Sequence, residues 1–363
     1  MKNEISVIRE HEFSYRICLQ NGFDNLLYQL KRDDIRFYRA CIVTDSTVNA
    51  LYGKQLKRTL EQYCSKVTIY EFPAGEKNKN LDTVQGVYEH LIQESFDRHD
   101  MIVALGGGVT GDLAGFAAAT YLRGIRFIQV PTTLLSQVDS SIGGKTGVDF
   151  RKYKNMVGAF HQPALVYMNM DTLNSLNEEQ FACGMAEIIK AGLLRDRDFF
   201  QWLVNHQEAI QKKDPQFLQE MISRSCEIKR EIVEEDPREQ GIRAHLNLGH
   251  TIGHAVEKLM NFTLLHGLCV SIGYVAAAYL SLPRGYLSTD DLFAVEKANR
   301  LFGLPSRISG LNDRDILSAT KKDKKMSQGA IKFILLKKLG EAVVDTTLTD
   351  SELLSGIHYI LGE

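Results

Sequence analysis

At 363 residues the chain is too long for one ordinary domain and about right for two. Its 44% hydrophobic and 24% charged residues fit a globular protein, and a net charge of −2 gives no electrostatic reason to expect nucleic acid or an anionic membrane as partner. Glu and Arg interrupt the opening MKNEISVIREHEF where a signal peptide needs an apolar core, no stretch approaches the roughly 18 apolar residues of a membrane span, and six scattered cysteines without a CxxC pair are expected as reduced thiols of a cytoplasmic protein.

In chain order, RFYRACIVTD (36–45) and SKVTIYEF (65–72) are expected as buried strands, and 81–95 carries apolar residues at helical spacing. DMIVALGGG (100–108) is a strand running into glycines, VTGDLAGFAAATYL (109–122) a small-residue helix, and RFIQVPTT (126–133) a strand stopped by Pro131. This βαβ rhythm predicts a parallel sheet covered by helices on both faces. Gly106-Gly107-Gly108-Val109-Thr110-Gly111 matches G-x-G-x-x-G between strand and helix. Such glycines let the backbone approach a pyrophosphate, and the helix N-terminus offers it unpaired N–H groups. A plain tight turn is the competing reading; the flanking strand and helix favour a dinucleotide. The acidic residue expected about 20 positions on for the ribose is missing. Asp45 and Glu76 are the candidate replacements, which suggests a departure from the standard Rossmann arrangement.

Residues 137–160 are expected as a loop, with Asp139, Lys145, Lys152, Lys154 and Asn155 among glycines and serines. The simpler reading is a flexible surface segment. GGKT lacks the rest of the Walker pattern, which removes an ATPase, whereas cations beside a glycine-rich backbone suit a phosphate monoester.

From about residue 178 helical patterns dominate: 178–194, 198–211, 215–235, 246–260, 267–283, 289–302 and 312–320. A hairpin is expected over 330–345 with Gly340 near its turn, and a final helix over 349–361. The change of texture places the domains at 1–175 and 176–363, with a ligand cleft expected between them. Glu187 and Lys190 interrupt an apolar helix and are expected to point into a site. In RAHLNLGHTIGH, Arg243, Asn247, His250 and His254 fall at i, i+4, i+7 and i+11, so one helix would carry all four on one face lining a cavity. Gly249 and Gly253 beside them suggest that something approaches closely. His245, His250, His254 and His266 crowd into 22 residues, which suggests a metal site, with the His250/His254 pair and Glu187 as ligand candidates. Thr251 after His250 removes the H-E-x-x-H metalloprotease pattern.

These stretches together closely resemble the 3-dehydroquinate synthase family of the sugar phosphate cyclase superfamily. The matching segments are ALGGGVTGDLAGFAAATYLRGIRFIQVPTTLLSQVDSSIGGKTGVD, KNMVGAFHQP, GMAEIIKAG, CEIK, RAHLNLGHTIGHA, LLHG and DKK, spread over residues 74–325. The resemblance implies a Rossmann-like α/β N-terminal domain, a mainly α-helical C-terminal domain and an active site in the interdomain cleft. It implies a carbon–oxygen lyase of the shikimate pathway to chorismate and the aromatic amino acids. The substrate would be 3-deoxy-D-arabino-heptulosonate 7-phosphate (DAHP), a sugar acid phosphate, and the products 3-dehydroquinate and phosphate. The implied course is transient oxidation by NAD, phosphate elimination, re-reduction, ring opening and intramolecular aldol closure, with Zn2+ or Co2+ as Lewis acid. A cytoplasmic homodimer is implied as well.

By the same resemblance, Glu187, His250 and His266 would bind the metal, and His254 would transfer protons instead of ligating. Asp139, Lys145, Lys190, Lys229, Arg243 and Asn247 would hold the substrate's carboxylate and hydroxyls. Lys145, Asn155 and Lys324 would face its phosphate, with Arg123 entering from a neighbouring subunit. NAD would lie along Asp45, Glu76, Lys79, the Gly107-Gly108-Val109-Thr110-Gly111 turn, Asp112, Thr132, Thr133, Lys145, Lys154 and Thr172. Three positions depart from the family's pattern. Leu268 follows His266-Gly267 where the family usually reads HGE, so a carboxylate beside a metal ligand is missing. Ala74 replaces a common Asp, and the choice between Lys324 and Lys325 in KKDKKMS is open. The competing readings are another sugar phosphate cyclase and an NAD- and metal-dependent dehydrogenase of the glycerol type.

Overall fold

Met101–Gly106 reads MIVALG without one polar side chain, and all six positions are buried, the mark of a strand covered on both faces. The computed structural model describes residues 3–9, 12–151, 153–237, 239, 241–324 and 332–362, with the backbone only at 322–324. It divides into two units, Met1–Leu176 and Asn177–Glu363.

The first unit opens with β1 (Glu4–Arg9), β2 (Glu12–Gln20), α1 (Leu26–Arg32), β3 (Arg39–Asp45), α2 (Ser46–Val48) and α3 (Lys54–Leu60). It continues with β4 (Lys66–Phe72), α4 (Leu81–Gln93), β5 (Met101–Gly106), α5 (Gly108–Thr120) and β6 (Arg126–Pro131), then β7 (Lys145–Phe150), β8 (Tyr153–Phe160) and β9 (Leu165–Asn169). Seven strands form one sheet in the order β1-β2-β9-β6-β5-β3-β4. Only β1–β2 is antiparallel among these pairings. Side chains alternate between two cores. Ala40, Ile42, Val103, Leu105 and Ile128 pack with Leu26, Leu30, Leu56 and Leu60 on one face. Cys41, Val43, Ile102, Ala104 and Phe127 pack with Val84, Val87, Leu91, Leu113 and Ala117 on the other.

The expected loop at 137–160 is instead a short π-helical turn, Ser136–Ser140, followed by the β7–β8 hairpin. Its glycines serve packing more than flexibility. A Cβ on Gly115 of α5 would sit 2.5 Å from Thr146 Cγ2, and one on Gly147 would sit 2.8 Å from the Val157 carbonyl. Alternating small and polar residues conceal such a hairpin, because its fully buried side chains are only Thr146 and Val148, with half-buried Val157 and Ala159 packed beside them.

The second unit comprises α6 (Glu178–Arg195), α7 (Arg197–Asn205), α8 (Gln207–Gln211), α9 (Pro215–Glu235), α10 (His250–Leu259), α11 (His266–Ser281), α12 (Thr289–Leu301) and α13 (Asp313–Lys324). A hairpin of β10 (Phe333–Lys338) and β11 (Glu341–Asp345) turns at Gly340, and α14 (Asp350–Leu361) ends the chain. Every residue of α6 from Phe181 to Leu194 is buried, and α11 is nearly as enclosed. Helices apolar all round belong at the centre of a bundle. The helix expected over 246–260 is shorter. Ile242–Asn247 form a 3₁₀ turn, and Gly249 at φ +81° breaks the chain before α10 begins at His250. Arg243 and Asn247 therefore do not share one helix face with His250 and His254; a left-handed residue reorients the chain between the two pairs.

Candidate active-site elements

In an open α/β sheet, ligands bind beyond the carboxyl ends of strands where the winding direction reverses. Here β3 leads outward to β4 and β5 leads the other way to β6, so the reversal lies between β3 and β5. Asp45 ends β3, Gly106 ends β5, and α5 starts two residues later. No side chain caps α5, so its first N–H groups stay available to an anion. The glycines match this tight junction: a Cβ on Gly106 would meet Thr110 Oγ1 at 2.4 Å, and one on Gly107 would meet Thr133 Cγ2 at 3.1 Å.

Asp45 accepts from the backbone N–H groups of Thr47 and Val48 (3.0 and 3.1 Å) and from Thr110 Oγ1 (3.4 Å). Lys79, 4% exposed, donates to Asp112 Oδ2 (2.6 Å) and Asn155 Oδ1 (2.7 Å). Burial alone would lower the Lys79 pKa, but the charges of Asp112 and Glu76 hold it above its ordinary value. Lys154 lies 3.5 Å from Glu76. This network gathers the 76–79 turn, α5 and the β7–β8 hairpin, and so brings together Glu76, Lys79, Asp112, Lys154 and Asn155. Asn155, expected to face a phosphate, accepts from the Lys79 ammonium through Oδ1, because that buried cation requires acceptors. Thr132 donates its backbone N–H to Gly106, and Thr133 exchanges hydrogen bonds with Ser136. The buried Thr172 hydroxyl contacts the Asn169 and Thr132 carbonyls (2.7 and 3.1 Å), so it braces the turn with its only proton. Asp139 lies in the π-helical turn and exposed Lys145 begins β7, after Gly143, whose N–H donates to the Tyr15 hydroxyl (3.1 Å). Exposed Arg123 sits at φ +69° after Leu122 at +49°; two consecutive left-handed residues form a strained corner.

In the second unit the decisive residues come from α6, α10 and α11. Glycines allow these helices to meet backbone to backbone. A Cβ on Gly273 would fall 1.9 Å from the Gly249 carbonyl, one on Gly253 2.8 Å from the Cys269 carbonyl, and one on Gly267 2.1 Å from the Cys183 carbonyl. What approaches Gly249 and Gly253 so closely is therefore α11. The imidazoles of His250, His254 and His266 consequently converge, with candidate ligand atoms all within 4.8 Å of one another. Glu187 enters from α6, 4% exposed, with Oε1 4.0 Å from His250 Nε2 and 3.8 Å from His266 Nε2. Its Oε2 pairs with the buried Lys190 ammonium, while Oε1 has no hydrogen-bond partner among the described residues.

A buried carboxylate oxygen without a donor, facing two imidazole nitrogens, forms a donor set that could hold a cation. Ligand bonds of about 2.0–2.1 Å place tetrahedral donors about 3.3–3.5 Å apart, so contraction by roughly half an ångström would suit a zinc-sized ion. Burial, then Lys190 and the neighbouring imidazoles, push the His250 pKa well below its ordinary value, keeping it neutral and able to ligate. For His266 burial acts downward as well, but Glu257 and then Glu187 outweigh it and raise the pKa. Glu257 stands 3.6 Å from His266 Nδ1. The sequence held a signal for it, since His250, His254 and Glu257 fall at i, i+4 and i+7 of α10.

Lys229 is buried on α9. Buried Arg243 donates through Nη1 to the Pro237 carbonyl (2.7 Å), and exposed Asn247 donates to Glu239 Oε1 (3.0 Å). His245 stays in the 3₁₀ turn and is not one of the clustered imidazoles. Lys152 and Lys325 lie outside the described residues, and so does the side chain of Lys324.

The 3-dehydroquinate synthase N-terminal family matches residues 69–183, and the 3-dehydroquinate synthase C-terminal family matches 184–326. A 3-dehydroquinate synthase of Syntrophotalea carbinolica is 43% identical over 345 residues, 95% of each chain. Among solved structures, a 2-epi-5-epi-valiolone synthase from Streptomyces hygroscopicus subsp. jinggangensis with NAD+ and Zn2+ bound superposes with a TM-score of 0.88 at 29% identity, over 98% of each chain. A 2-deoxy-scyllo-inosose synthase complexed with carbaglucose-6-phosphate, NAD+ and Co2+ gives 0.87 at 25% identity, over 99% of this chain and all of the other.

Proposed function

The chain belongs to the 3-dehydroquinate synthase family, and from that premise we propose how its own residues divide the family's conversion of DAHP into 3-dehydroquinate and phosphate. When bound, NAD supplies reversible hydride acceptance. A divalent zinc or cobalt ion supplies Lewis acidity to the hydroxyl being oxidised.

The dinucleotide would lie against the Gly107-Gly108 turn, with the N–H groups of Val109 and Thr110 offered to its pyrophosphate and Gly111, whose own N–H donates to the Gly107 carbonyl, closing the first turn of α5. Asp45, Glu76, Lys79, Asp112, Thr132, Thr133 and Lys154 surround it, and Thr172 stiffens the turn beneath. Glu187, His250 and His266 would hold the metal. The observation that carries this reading is the orphaned Glu187 Oε1 facing two Nε2 atoms. His254 stands beside those ligands as the proton-transfer group, its ring centre 5.0 Å from that of His250 and 5.5 Å from that of His266. Lys190, Lys229, Arg243, Asn247 and Asp139 orient the substrate's carboxylate and hydroxyls. Lys145 and Lys324 would attend its phosphate with the Asn155 amide beside them, and electrostatic stabilisation by the two lysines favours phosphate departure.

We also propose a homodimer in the cytoplasm. The exposed, strained Arg123 corner suits a residue offered to a neighbouring subunit, and six free thiols suit a reducing compartment. The test is incubation of cobalt-loaded protein with DAHP and catalytic NAD. Phosphate and 3-dehydroquinate should form in equal amounts without net absorbance change at 340 nm. Phosphate without dehydroquinate would point to another sugar phosphate cyclase, and accumulating NADH to a dehydrogenase.

A further inference from the structure

Leu268 stands where the family usually carries a carboxylate, yet His266 is not left without one. Its Nε2 faces Glu187 Oε1 at 3.8 Å, and its Nδ1 faces Glu257 Oε2 at 3.6 Å. The two carboxylates come from different helices and approach opposite nitrogens of one ring. Glu257 is itself 4% exposed, an expensive place for a carboxylate that does no more than decorate a helix.

Resting on the metal reading above, we propose that Glu257 is a positioning residue for His266. It holds the Nδ1 proton and thereby leaves the Nε2 lone pair directed at the metal position. A neutral imidazole carries one N–H, and the hydrogen bond made by one nitrogen decides whether the other can ligate. With Nδ1–H directed at Glu257, the remaining lone pair is on Nε2, on the side of Glu187. The negative charge behind the ring makes Nε2 a stronger donor to a cation. Three features of the fold fix this relay. Glu257 shares the α10 face of His250 and His254. Gly253 allows α11 to approach that face, and His266 is the first residue of α11. The Cys183 thiol on α6 accepts from the Gly267 N–H at 3.1 Å, which pins the start of α11 to the helix that carries Glu187.

A merely structural carboxylate linking α10 to α11 would affect folding stability and leave ligand geometry alone. The test therefore reads metal binding directly. The full chain and its Glu257→Gln and Glu257→Leu variants are titrated with Co2+ against a competing chelator, and the visible cobalt spectrum of each is recorded. Gln keeps an acceptor for Nδ1–H but loses the charge; Leu loses both. Affinity should fall in the order Glu, Gln, Leu, by about 10–100-fold overall, with altered cobalt bands in the Leu variant. Saturating Co2+ should restore most of the turnover of Glu257→Gln. In the metal-free protein, ¹⁵N shifts should show His266 protonated at Nδ1, with that preference lost in Glu257→Leu. Affinities within twofold of the parent for both folded variants would overturn the inference while leaving the metal site intact. A parent chain that binds no Co2+ would instead overturn the metal reading, and this inference with it.

Discussion

The two units reach a candidate site by different means. At the end of β5 the recognition elements are backbone: glycines, the open N-terminus of α5, and strand ends placed by the winding of the sheet. At the crossing of α6, α10 and α11 they are side chains from positions 187, 250 and 266, held by glycines that let the helices touch. The first kind tolerates changes of side chain around its glycines but not of the glycines or the topology. The second depends on a few atoms, so single substitutions there should be far more damaging.

The largest effect should come from His250→Ala, which removes one of the three proposed ligands: cobalt retention after gel filtration should be lost, and turnover with it. His254→Ala sharpens the division of labour, because it should keep the metal and lower kcat by about 10²–10⁴-fold. If the metal contents of these two variants were reversed, the ligand assignment would be wrong. Gly273→Ala probes the close approach itself. Its Cβ would fall 1.9 Å from the Gly249 carbonyl, so α11 must shift, destabilising the protein by roughly 1–3 kcal/mol and weakening Co2+ binding. A melting temperature and cobalt affinity equal to the parent's would show that the crossing does not set the site.

Acid should act on the same unit. A metal must displace the Nε2 proton of His266, whose pKa Glu257 and Glu187 raise against the downward pull of burial. Below that raised pKa the ring is protonated in the metal-free protein, so Co2+ affinity should fall about tenfold per unit of decreasing pH. For the metal-free fold the sign is opposite: stability from the His266 ion pairs is present at low pH and lost as pH rises through the folded pKa. Pulling on the first unit should have a milder outcome. Lys79→Met leaves Asp112 without its cation and should raise the NAD concentration for half-maximal activity by about tenfold, or ~1.4 kcal/mol, with no change in cobalt affinity. Equal NAD dependence would detach the Lys79 network from the cofactor.

The same contrast governs what the chain revealed before its structure was known. The apolar run of β5 and the glycines after it announce a parallel strand and its turn, because both follow from local composition. The β7–β8 hairpin stayed hidden: its core-facing residues are small, and their burial depends on Gly115, some 30 residues earlier. Glu187 and the histidines were visible as residue types, but their convergence follows from glycine contacts between distant helices. Spacing alone placed Arg243 and Asn247 on the helix of His250, and only the left-handed Gly249 shows why they are not. Glu257 is not legible from the family pattern, which carries its carboxylate at the Leu268 position of α11, whereas Glu257 reaches His266 from the preceding helix, α10.

Glu187, His250 and His266 are proposed to share one divalent ion. A crystal structure of the cobalt-loaded protein with anomalous scattering at the cobalt edge tests it most directly. The account predicts one peak, bonded to Glu187 Oε1 and the Nε2 atoms of His250 and His266, with Glu187 drawn inward by about half an ångström. A peak held by His250, His254 and His266 with Glu187 left on Lys190, or no peak at this crossing, would contradict it.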